Sequence, residues 1–310
     1  MVGSVVVNVT FFLMCAGAGA GIAWCILARY ATVPYLFWYL RMRHARHRLL
    51  RPGAAGVGGG RRVVVSLSAI PSRLPGIRAT LNSLLAQSRA PDCIYLNIPH
   101  RSRREQRGYR LPPDIVNDPR IVVQRWPVDL GPILKLLPTL DRETDPATLI
   151  VTVDDDAVYP RHLLRTLLDH HARLPAAALG FRGWRVPRCG RFLARRVRYA
   201  NQVDRPWRVH VLSGVCGVLY RRDLFGPDFM DRRGMPAEAF FVDDICISGY
   251  LEARGVARYL IPYPMREPFA RYLLTVRTNP LWRINRDGHN DQVMVNRYFG
   301  HCYARPREDC

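Results

Sequence analysis

The stretch Thr148-Leu-Ile-Val-Thr-Val-Asp154-Asp155-Asp156 decides the fold of this chain, because a short apolar run rich in β-branched residues ends in three carboxylates. Such a run is typical of a strand buried in a parallel sheet, and ligands of open α/β sheets lie just beyond the carboxyl ends of such strands. Three adjacent carboxylates repel one another unless they face water or hold a hard divalent cation. The stretch therefore predicts a metal site or a solvated acidic loop, and the preceding strand favours the metal site.

The segments around this stretch alternate between strand and helix. Apolar β-branched runs predict strands over 63–68, 93–97, 121–124 and 149–153. Apolar residues at helical spacing predict helices over 74–88, 133–140 and 163–170. This order predicts an α/β fold with a parallel, Rossmann-like sheet. The first strand is not followed by Gly-x-Gly-x-x-Gly, and there is no Walker loop, so the sequence lacks both nucleotide-binding fingerprints.

The second half of the chain is less regular. Residues 178–186 predict a strand interrupted by glycine, 188–208 a basic loop, and 209–220 a strand or tight hairpin. Asp243 and Asp244 stand at the start of an apolar helix. Aspartate is also an ordinary residue at helix starts, so the pair is either a cap or part of a site.

The chain has 310 residues and a formal net charge of +21, enough length for one domain of about 250 residues plus flanking segments. The positive charge could attract anionic lipids or nucleic acid. No repeated basic-aromatic pattern is present, however, so we expect no nucleic-acid partner. The eight cysteines have no zinc-type spacing and do not establish disulfides.

The N-terminus predicts a membrane anchor. Residues 1–28 carry no charged side chain and are long enough to cross a bilayer as a helix. Arginines and aromatic residues follow, so the positive-inside rule predicts a cytosolic catalytic domain, with a lumenal domain as the alternative. Residues 29–61 are then a basic juxtamembrane segment and glycine-rich linker, and 62–310 form the folded domain.

Four blocks resemble, in order and spacing, nucleotide-sugar glycosyltransferases of the GT-A fold, similar to family 2, over about residues 62–300. These are Leu130-Gly-Pro-Ile-Leu-Lys-Leu-Leu-Pro-Thr-Leu140, Val-Thr-Val-Asp-Asp-Asp-Ala-Val-Tyr-Pro160, Val-Leu-Ser-Gly-Val-Cys-Gly-Val-Leu-Tyr-Arg221 and Val-Asp-Asp-Ile-Cys-Ile-Ser-Gly-Tyr-Leu251. An Asp-x-Asp motif alone is common, whereas the four blocks together are much more specific.

The resemblance implies a metal site at the carboxylate triplet. The family's Asp-x-Asp motif falls on Asp154 and Asp156, and its last carboxylate, Asp156, would bind Mn²⁺ or Mg²⁺ and through it the donor's diphosphate. Asp155 would contact the ribose or the sugar. A fixed cation stabilises the charge that develops on the departing nucleoside diphosphate. His289 would be a further metal ligand, with His301 as its rival.

The resemblance also implies roles in the transfer itself. Asp244 would deprotonate the acceptor hydroxyl, and Asp243 would bind the acceptor or orient the site. The base must lie opposite the leaving group for a single displacement with inversion. The pair is Asp-Asp where Glu-Asp is usual.

Further positions are expected to bind the two substrates. Arg73 and Lys135, the only lysine of the chain, would lie in the nucleotide pocket, and Trp184 and Gly214 in the sugar and acceptor region. Asn97 stands where studied branches of the family carry an acidic residue, which leaves base recognition open.

The sequence therefore predicts a membrane-anchored, metal-dependent, inverting glycosyltransferase that uses a nucleoside-diphosphate sugar and a glycan, protein or lipid acceptor. The alternatives are a metal-dependent phosphohydrolase and a catalytically inactive basic protein that binds membranes or nucleic acid.

Overall fold

The computed structural model describes residues 60–187, 197–263, 281–285 and 287–302, together with positions 38, 40–42, 45 and 49–50. The anchor predicted for residues 1–28 lies outside these ranges. Within them, every helix is too short or too polar to cross a membrane.

The secondary structure follows the predicted alternation. The strands are β1 Val63–Ser68, β2 Cys93–Pro99, β3 Arg101–Ser102, β4 Arg107–Gly108, β5 Ile121–Trp126, β6 Leu149–Thr152, β7 Ala178–Gly180, β8 Arg182–Trp184, β9 Arg198–Tyr199, β10 Trp207–Arg208, β11 Val211–Leu212, β12 Val218–Arg221 and β13 Arg258–Leu260. The α-helices are α1 Ile77–Leu85, α2 Pro113–Val116, α3 Leu137–Arg142, α4 Leu163–His171, α5 Asp243–Ala253, α6 Leu281–Ile284 and α7 His289–Phe299.

Eight strands form the central sheet, in the order β10-β13-β7-β12-β6-β1-β2-β5. The block β6-β1-β2-β5 is parallel throughout, and β13 is parallel to β7. Strand β12 lies antiparallel between β6 and β7, and β10 is an antiparallel edge strand. The prediction of an α/β fold with a mostly parallel sheet is confirmed.

Both faces of the sheet are covered, as the continuous apolar runs require. Successive side chains of β1 point to opposite faces. Val65 and Leu67 pack into a cluster that contains Leu81 of α1 and Leu164 of α4. Val64 belongs to the second cluster, which is formed with α3, α5 and α7. The carboxyl ends of the parallel strands are thus held between two rigid layers.

Prolines shorten two of the predicted helices. Before α1, residues Pro71–Gly76 form a 3₁₀ helix, and before α3 a second 3₁₀ helix covers Gly131–Lys135. Pro75 and Pro138 lack the amide hydrogen that an α-helix interior needs, so each α-helix begins later than the apolar spacing predicts.

Two predicted strands each divide between two sheets. Within 178–186, β7 joins the central sheet, whereas β8 pairs with β9 and β11 in a separate three-stranded sheet, which we call the small sheet. Within 209–220, β11 belongs to the small sheet and β12 to the central one. A 3₁₀ turn over Gly214–Cys216 joins them, and Gly217 follows at φ 92°, a region that favours glycine.

A segment before residue 60 packs on the domain. Met42 is fully buried and clusters with Ala79 and Val158. The indole Nε1 of Trp38 donates a hydrogen bond to the backbone oxygen of Tyr159 at 3.0 Å. This part of the predicted juxtamembrane region therefore touches the loop that follows the carboxylate triplet.

Candidate active site

A cleft of about 920 Å³ opens where β1 and β6 end. Its walls come from the carboxylate triplet, the 3₁₀ segment Gly131–Lys135, the small sheet, the start of α5 and the segment that enters α7. This is the position at which open α/β sheets bind ligands.

The carboxylate triplet is fixed by contacts on both sides. The amide of Asp154 donates to the hydroxyl of Tyr159 at 2.8 Å, and the backbone oxygen of Asp155 accepts from Thr80 Oγ1 at 3.0 Å. Arg73 Nη1 lies 2.7 Å from Asp155 Oδ1 and 3.2 Å from Asp156 Oδ2. The triplet is therefore neither a loose nor a fully solvated loop.

Burial and charge have opposing effects on the pKa values of Asp155 and Arg73. Burial raises the pKa of the Asp155 carboxyl, and the charge of Arg73 opposes that rise only in part. Burial alone would lower the pKa of Arg73, but Asp155 and Asp156 raise it. Arg73 is thus a permanent cation at the edge of the triplet.

The only lysine of the chain bridges two parts of the site. Lys135 Nζ lies 2.8 Å from Asp154 Oδ1 and 2.9 Å from Asp243 Oδ2, and its side chain is buried. Burial would lower its pKa, yet the charges of Asp154 and Asp243 hold that pKa well above the ordinary value. Lys135 therefore ties the end of β6 to the first turn of α5.

A buried network positions the turn that carries Lys135. Ser66 Oγ donates to the backbone oxygen of Lys135 and shares a hydrogen bond with Thr139 Oγ1. Asn97 Nδ2 donates to Ser66 Oγ at 2.9 Å and to Thr139 Oγ1 at 3.0 Å. Asn97 thus supports the site from the core instead of lining the cleft.

Asp244 makes hydrogen bonds that a simple helix cap would not make. Its Oδ1 accepts from the amide of Gly214 at 2.9 Å, and its Oδ2 accepts from Ser213 Oγ at 3.0 Å. Arg182 Nη1 donates to the same Ser213 Oγ at 2.8 Å. Helix α5 begins without any side-chain cap bond, so the alternative that Asp243 and Asp244 are caps is wrong.

The pKa of Asp244 suits a role as proton acceptor. Burial raises the pKa of its carboxyl to about 7, assisted by the charge of Asp243 and opposed by Lys135. A carboxyl that titrates near neutral pH combines an available basic form with a useful affinity for the proton.

The remaining predicted positions differ in where they lie. Trp184 is buried in the wall of the cleft. Gly214 lies behind Asp244, where an added Cβ would stand 2.8 Å from Lys135 Nζ and 3.0 Å from Asp244 Oδ1. Its lack of a side chain is thus what allows the lysine and the carboxylate to approach each other.

The structure does not bring the two candidate histidines to the triplet. His289 does not line the cleft, and its Nε2 lies 3.4 Å from Glu238 Oε1 with the side chain 64% exposed. His301 lies at the other end of α5, 3.4 Å from Glu252 Oε1. There it belongs to a possible ligand group with Glu252 and Cys302, where Glu252 is already ion-paired with buried Arg258.

Several residues that line the cleft were not predicted from the sequence. Ser213 precedes Gly214 in the third of the four blocks and could have been selected from its hydroxyl. Arg182 had no signal, because nothing in the sequence distinguishes it from its many neighbouring arginines. Asp287 and Asp291 also line the cleft, and burial raises the pKa of Asp291 to about 6.

The carboxylates of the cleft are of the chemical type that a hard divalent cation prefers, while the group of three ligand atoms within 4.8 Å of one another among the described residues is Glu252, His301 and Cys302. Asp154 and Asp156 present carboxylates there, and Asp155 Oδ2 is buried without a hydrogen-bond partner in the described part of the chain. Clustered carboxylates are the ligand type that Mg²⁺ and Mn²⁺ prefer.

Comparisons with known proteins give a limited result. No family model matches the chain, and no curated protein does. Among solved structures, the chain is similar to a mannosyltransferase from Pyrobaculum calidifontis in complex with GDP-Man and Mn²⁺, at 18% identity and a TM-score of 0.46, over 88% of this chain and 73% of that one. It is also similar to a 4-diphosphocytidyl-2C-methyl-D-erythritol synthase, at 13% identity and a TM-score of 0.40, over 76% of this chain and 100% of that one. At these values we base no residue role on either structure.

Proposed function

We propose that the chain is a metal-dependent glycosyltransferase that moves a sugar from a nucleoside-diphosphate sugar to an acceptor hydroxyl with inversion. This proposal rests on one observation: the carboxylate triplet, Lys135 and Asp244, whose pKa is about 7, line the same cleft. A site for a diphosphate-bound cation and a proton acceptor are the two parts that this reaction needs.

On the donor side, Asp156 and Asp154 would hold Mn²⁺ or Mg²⁺, and Arg73 and Lys135 fix the carboxylates around them. The cation would supply positive charge that stabilises the departing diphosphate. Because Arg73 and Lys135 already pair with carboxylates, we propose that they position those carboxylates beside the nucleotide. Their positive charges also contribute to the local electrostatic field.

On the acceptor side, Asp244 accepts the hydroxyl proton. The hydroxyl oxygen then forms a bond to the anomeric carbon while the bond to the diphosphate oxygen breaks, and the electron pair leaves with the nucleoside diphosphate. Attack from the face opposite the leaving group inverts the anomeric configuration. Gly214 and Ser213 hold Asp244 in place, and Trp184 provides an apolar wall for a sugar ring.

The membrane part of the proposal rests on the sequence. Residues 1–28 would anchor the protein with its catalytic domain in the cytosol. Protease protection in sealed vesicles tests this orientation. Digestion of the domain by external protease in inside-out vesicles agrees with it, and protection there until detergent is added indicates a lumenal domain.

A donor screen tests the activity. The full-length chain in detergent is incubated with Mn²⁺ and individual UDP-, GDP- and ADP-sugars, and free nucleotide, free sugar and sugar phosphate are measured. We expect one donor to be hydrolysed slowly, with loss of turnover after addition of EDTA or in Asp156→Ala. Release of sugar phosphate would favour the phosphohydrolase alternative, and the absence of turnover with every donor would favour the inactive binding protein.

A further inference from the structure

We propose that the acceptor carries an oxyanion, a carboxylate or a phosphate, close to the reacting hydroxyl, and that Arg182 binds this group. The inference rests on the proposed function and names the substrate class of the same site. It starts from a cation in the cleft wall that the transfer mechanism does not use.

Arg182 is held in place but retains its charge. Its guanidinium lies over the ring of Tyr199, 5.5 Å from the centroid, and Nη1 donates to Ser213 Oγ. Its Nε is buried without a hydrogen-bond partner among the described residues, and no described carboxylate forms an ion pair with it. A neutral hydroxyl and an aromatic ring orient a guanidinium without neutralising it.

Arg73 and Lys135, which also line the cleft, differ from Arg182 in this respect. Arg73 contacts Asp155 and Asp156, and Lys135 contacts Asp154 and Asp243. Their charge is balanced by protein carboxylates before any ligand binds. Pairing of Arg182 with an oxyanion would complete a charge-assisted hydrogen bond of the kind arginine favours.

The small sheet around Arg182 adds to the positive field. Arg185 and Arg198 lie on Trp207, 4.5 Å and 4.7 Å from its ring centroid, and neither forms an ion pair within the described ranges. The pKa of His210 falls to about 4, first through burial and then through the charges of Arg258, Arg185 and Arg208. A wall with this surplus charge attracts anions.

The proposed anion site at Arg182 lies close to the proton acceptor Asp244. Ser213 Oγ bonds to both Arg182 and Asp244, so an oxyanion on Arg182 would lie about two hydrogen bonds from the proton acceptor. Asp287 and Asp291 line another part of the cleft and would repel an anion there. Charge alone would therefore orient an anionic acceptor with its hydroxyl towards Asp244.

The test uses pairs of probes that differ only in the anionic group. Methyl β-glucuronide is compared with methyl β-glucoside, and glycerol 1-phosphate with glycerol, by calorimetric titration of the full-length protein with Mn²⁺ and either UDP or GDP present. We expect one charged probe to bind about ten- to a hundredfold more tightly than its neutral partner, the range of a charged hydrogen bond. The pair that shows the preference tells a carboxylate from a phosphate.

Three variants separate binding from positioning. Arg182→Gln should lose the preference for the charged probe and leave the neutral probe unchanged. Ser213→Ala breaks the link to Asp244 but keeps the cation, so the preference should persist. Arg165→Gln removes one charge from the exposed face of α4 and should change nothing, since that side chain is 68% exposed and does not line the cleft.

Other results would overturn the inference. Equal affinity within both pairs, the absence of binding by both charged probes, or an Arg182→Gln protein that keeps the preference would each do so. Nucleotide binding with Mn²⁺, measured in the same titrations and compared with Asp156→Ala, reports separately on the proposed function. If it persists while the anion preference fails, only the acceptor inference is lost.

Discussion

The two walls of the cleft use basic residues in opposite ways. On the carboxylate wall, formed by Arg73, Lys135 and Asp154–Asp156, each of the two cations contacts two carboxylates. On the arginine wall, formed by the small sheet, Arg182 lines the cleft and lies on the ring of Tyr199. Arg185 and Arg198, which do not line the cleft, lie on the ring of Trp207 in β10. Paired charges fix geometry and are costly to separate, whereas a cation on a ring keeps its charge for an incoming ligand.

Arginines in a chain with a high arginine content can therefore serve different purposes. The formal net charge of +21 gave no way to tell the two walls apart, because both contain basic residues. What distinguishes them is the presence of acidic partners, and these come from distant parts of the chain. Asp244 lies between the walls: the charge of Lys135 opposes the rise of its pKa, and Ser213 Oγ links its carboxylate to Arg182.

The largest effect is expected at the centre of the carboxylate wall. Asp156→Ala removes the principal oxygen ligand proposed for the cation, so the departing diphosphate loses stabilisation worth several kcal/mol. Transfer should fall by roughly a thousandfold, with the circular dichroism spectrum unchanged. Asp231→Ala, at an exposed position paired with Arg233, is the matched control and should retain activity. An active Asp156→Ala with unaltered Mn²⁺ dependence would contradict the assignment.

Asp244→Asn tests the residue between the walls. It keeps the shape and polarity of the side chain but cannot take the acceptor proton, so turnover should fall by about a hundred- to ten-thousandfold. The affinity for the nucleotide should remain, and the rise of kcat/KM around pH 7 should disappear, since the pKa of this carboxyl is about 7. Steady-state kinetics across pH 5–9 measure both. Wild-type turnover would remove Asp244 from the mechanism.

Lys135→Met tests whether the stability of the carboxylate wall depends on its ion pairs. The variant leaves Asp154 and Asp243 without their shared cation, and breaking a buried pair in this way costs about 3–5 kcal/mol of folding free energy. We expect a clear fall in melting temperature at pH 7.5. Arg165→Met, on the exposed face of α4, should shift it little. Equal stability of Lys135→Met and wild type would mean that the ion pairs are not important to the wall.

Gly214→Ala probes how closely the two walls approach. The added Cβ would lie 2.8 Å from Lys135 Nζ and 3.0 Å from Asp244 Oδ1, so both groups must shift. Overpacking of this kind costs about 1–3 kcal/mol. Thermal melting and turnover should both decline, whereas Gly76→Ala, whose Cβ meets nothing within 4 Å, should behave like wild type in these measurements.

The smallest effect is a dependence of stability on pH. Because the pKa of Asp244 is raised to about 7 in the folded protein, the folded state binds the proton more tightly than the unfolded state. Its contribution is fully present below about pH 4 and is lost as the pH rises through 7. Asp244→Asn should therefore melt a few degrees above wild type at pH 8, and the difference should shrink towards pH 4. A constant difference would contradict the raised pKa.

Much of the fold could be predicted because the deciding signals are local. Strand β1 has the predicted bounds, and β2, β5 and β6 differ from theirs by only one or two residues, since each is a continuous apolar run. The divided segments 178–186 and 209–220 were harder. Their strands of two to four residues are selected by partners far along the chain, and the hydrophobic pattern does not encode the partner.

The candidate site shows the same limit. The carboxylates could be found from their place after a strand and at the start of a helix. Their connections could not, because Lys135 reaches Asp243 across 108 positions and Arg182 reaches Ser213 across 31. His289 was selected from its place near the C-terminus, and its side chain contacts Glu238 instead of the triplet.

The contact of Trp38 with the loop after the triplet has a practical consequence. A fragment that begins within the glycine-rich segment, at residue 55 for example, would lack this indole and the fully buried Met42. Ala79 and Val158 would then face solvent, and the backbone oxygen of Tyr159 would lose its donor. A fragment intended for crystallisation should therefore begin upstream of Trp38, so that the stretch next to the proposed anchor is expressed as part of the catalytic body.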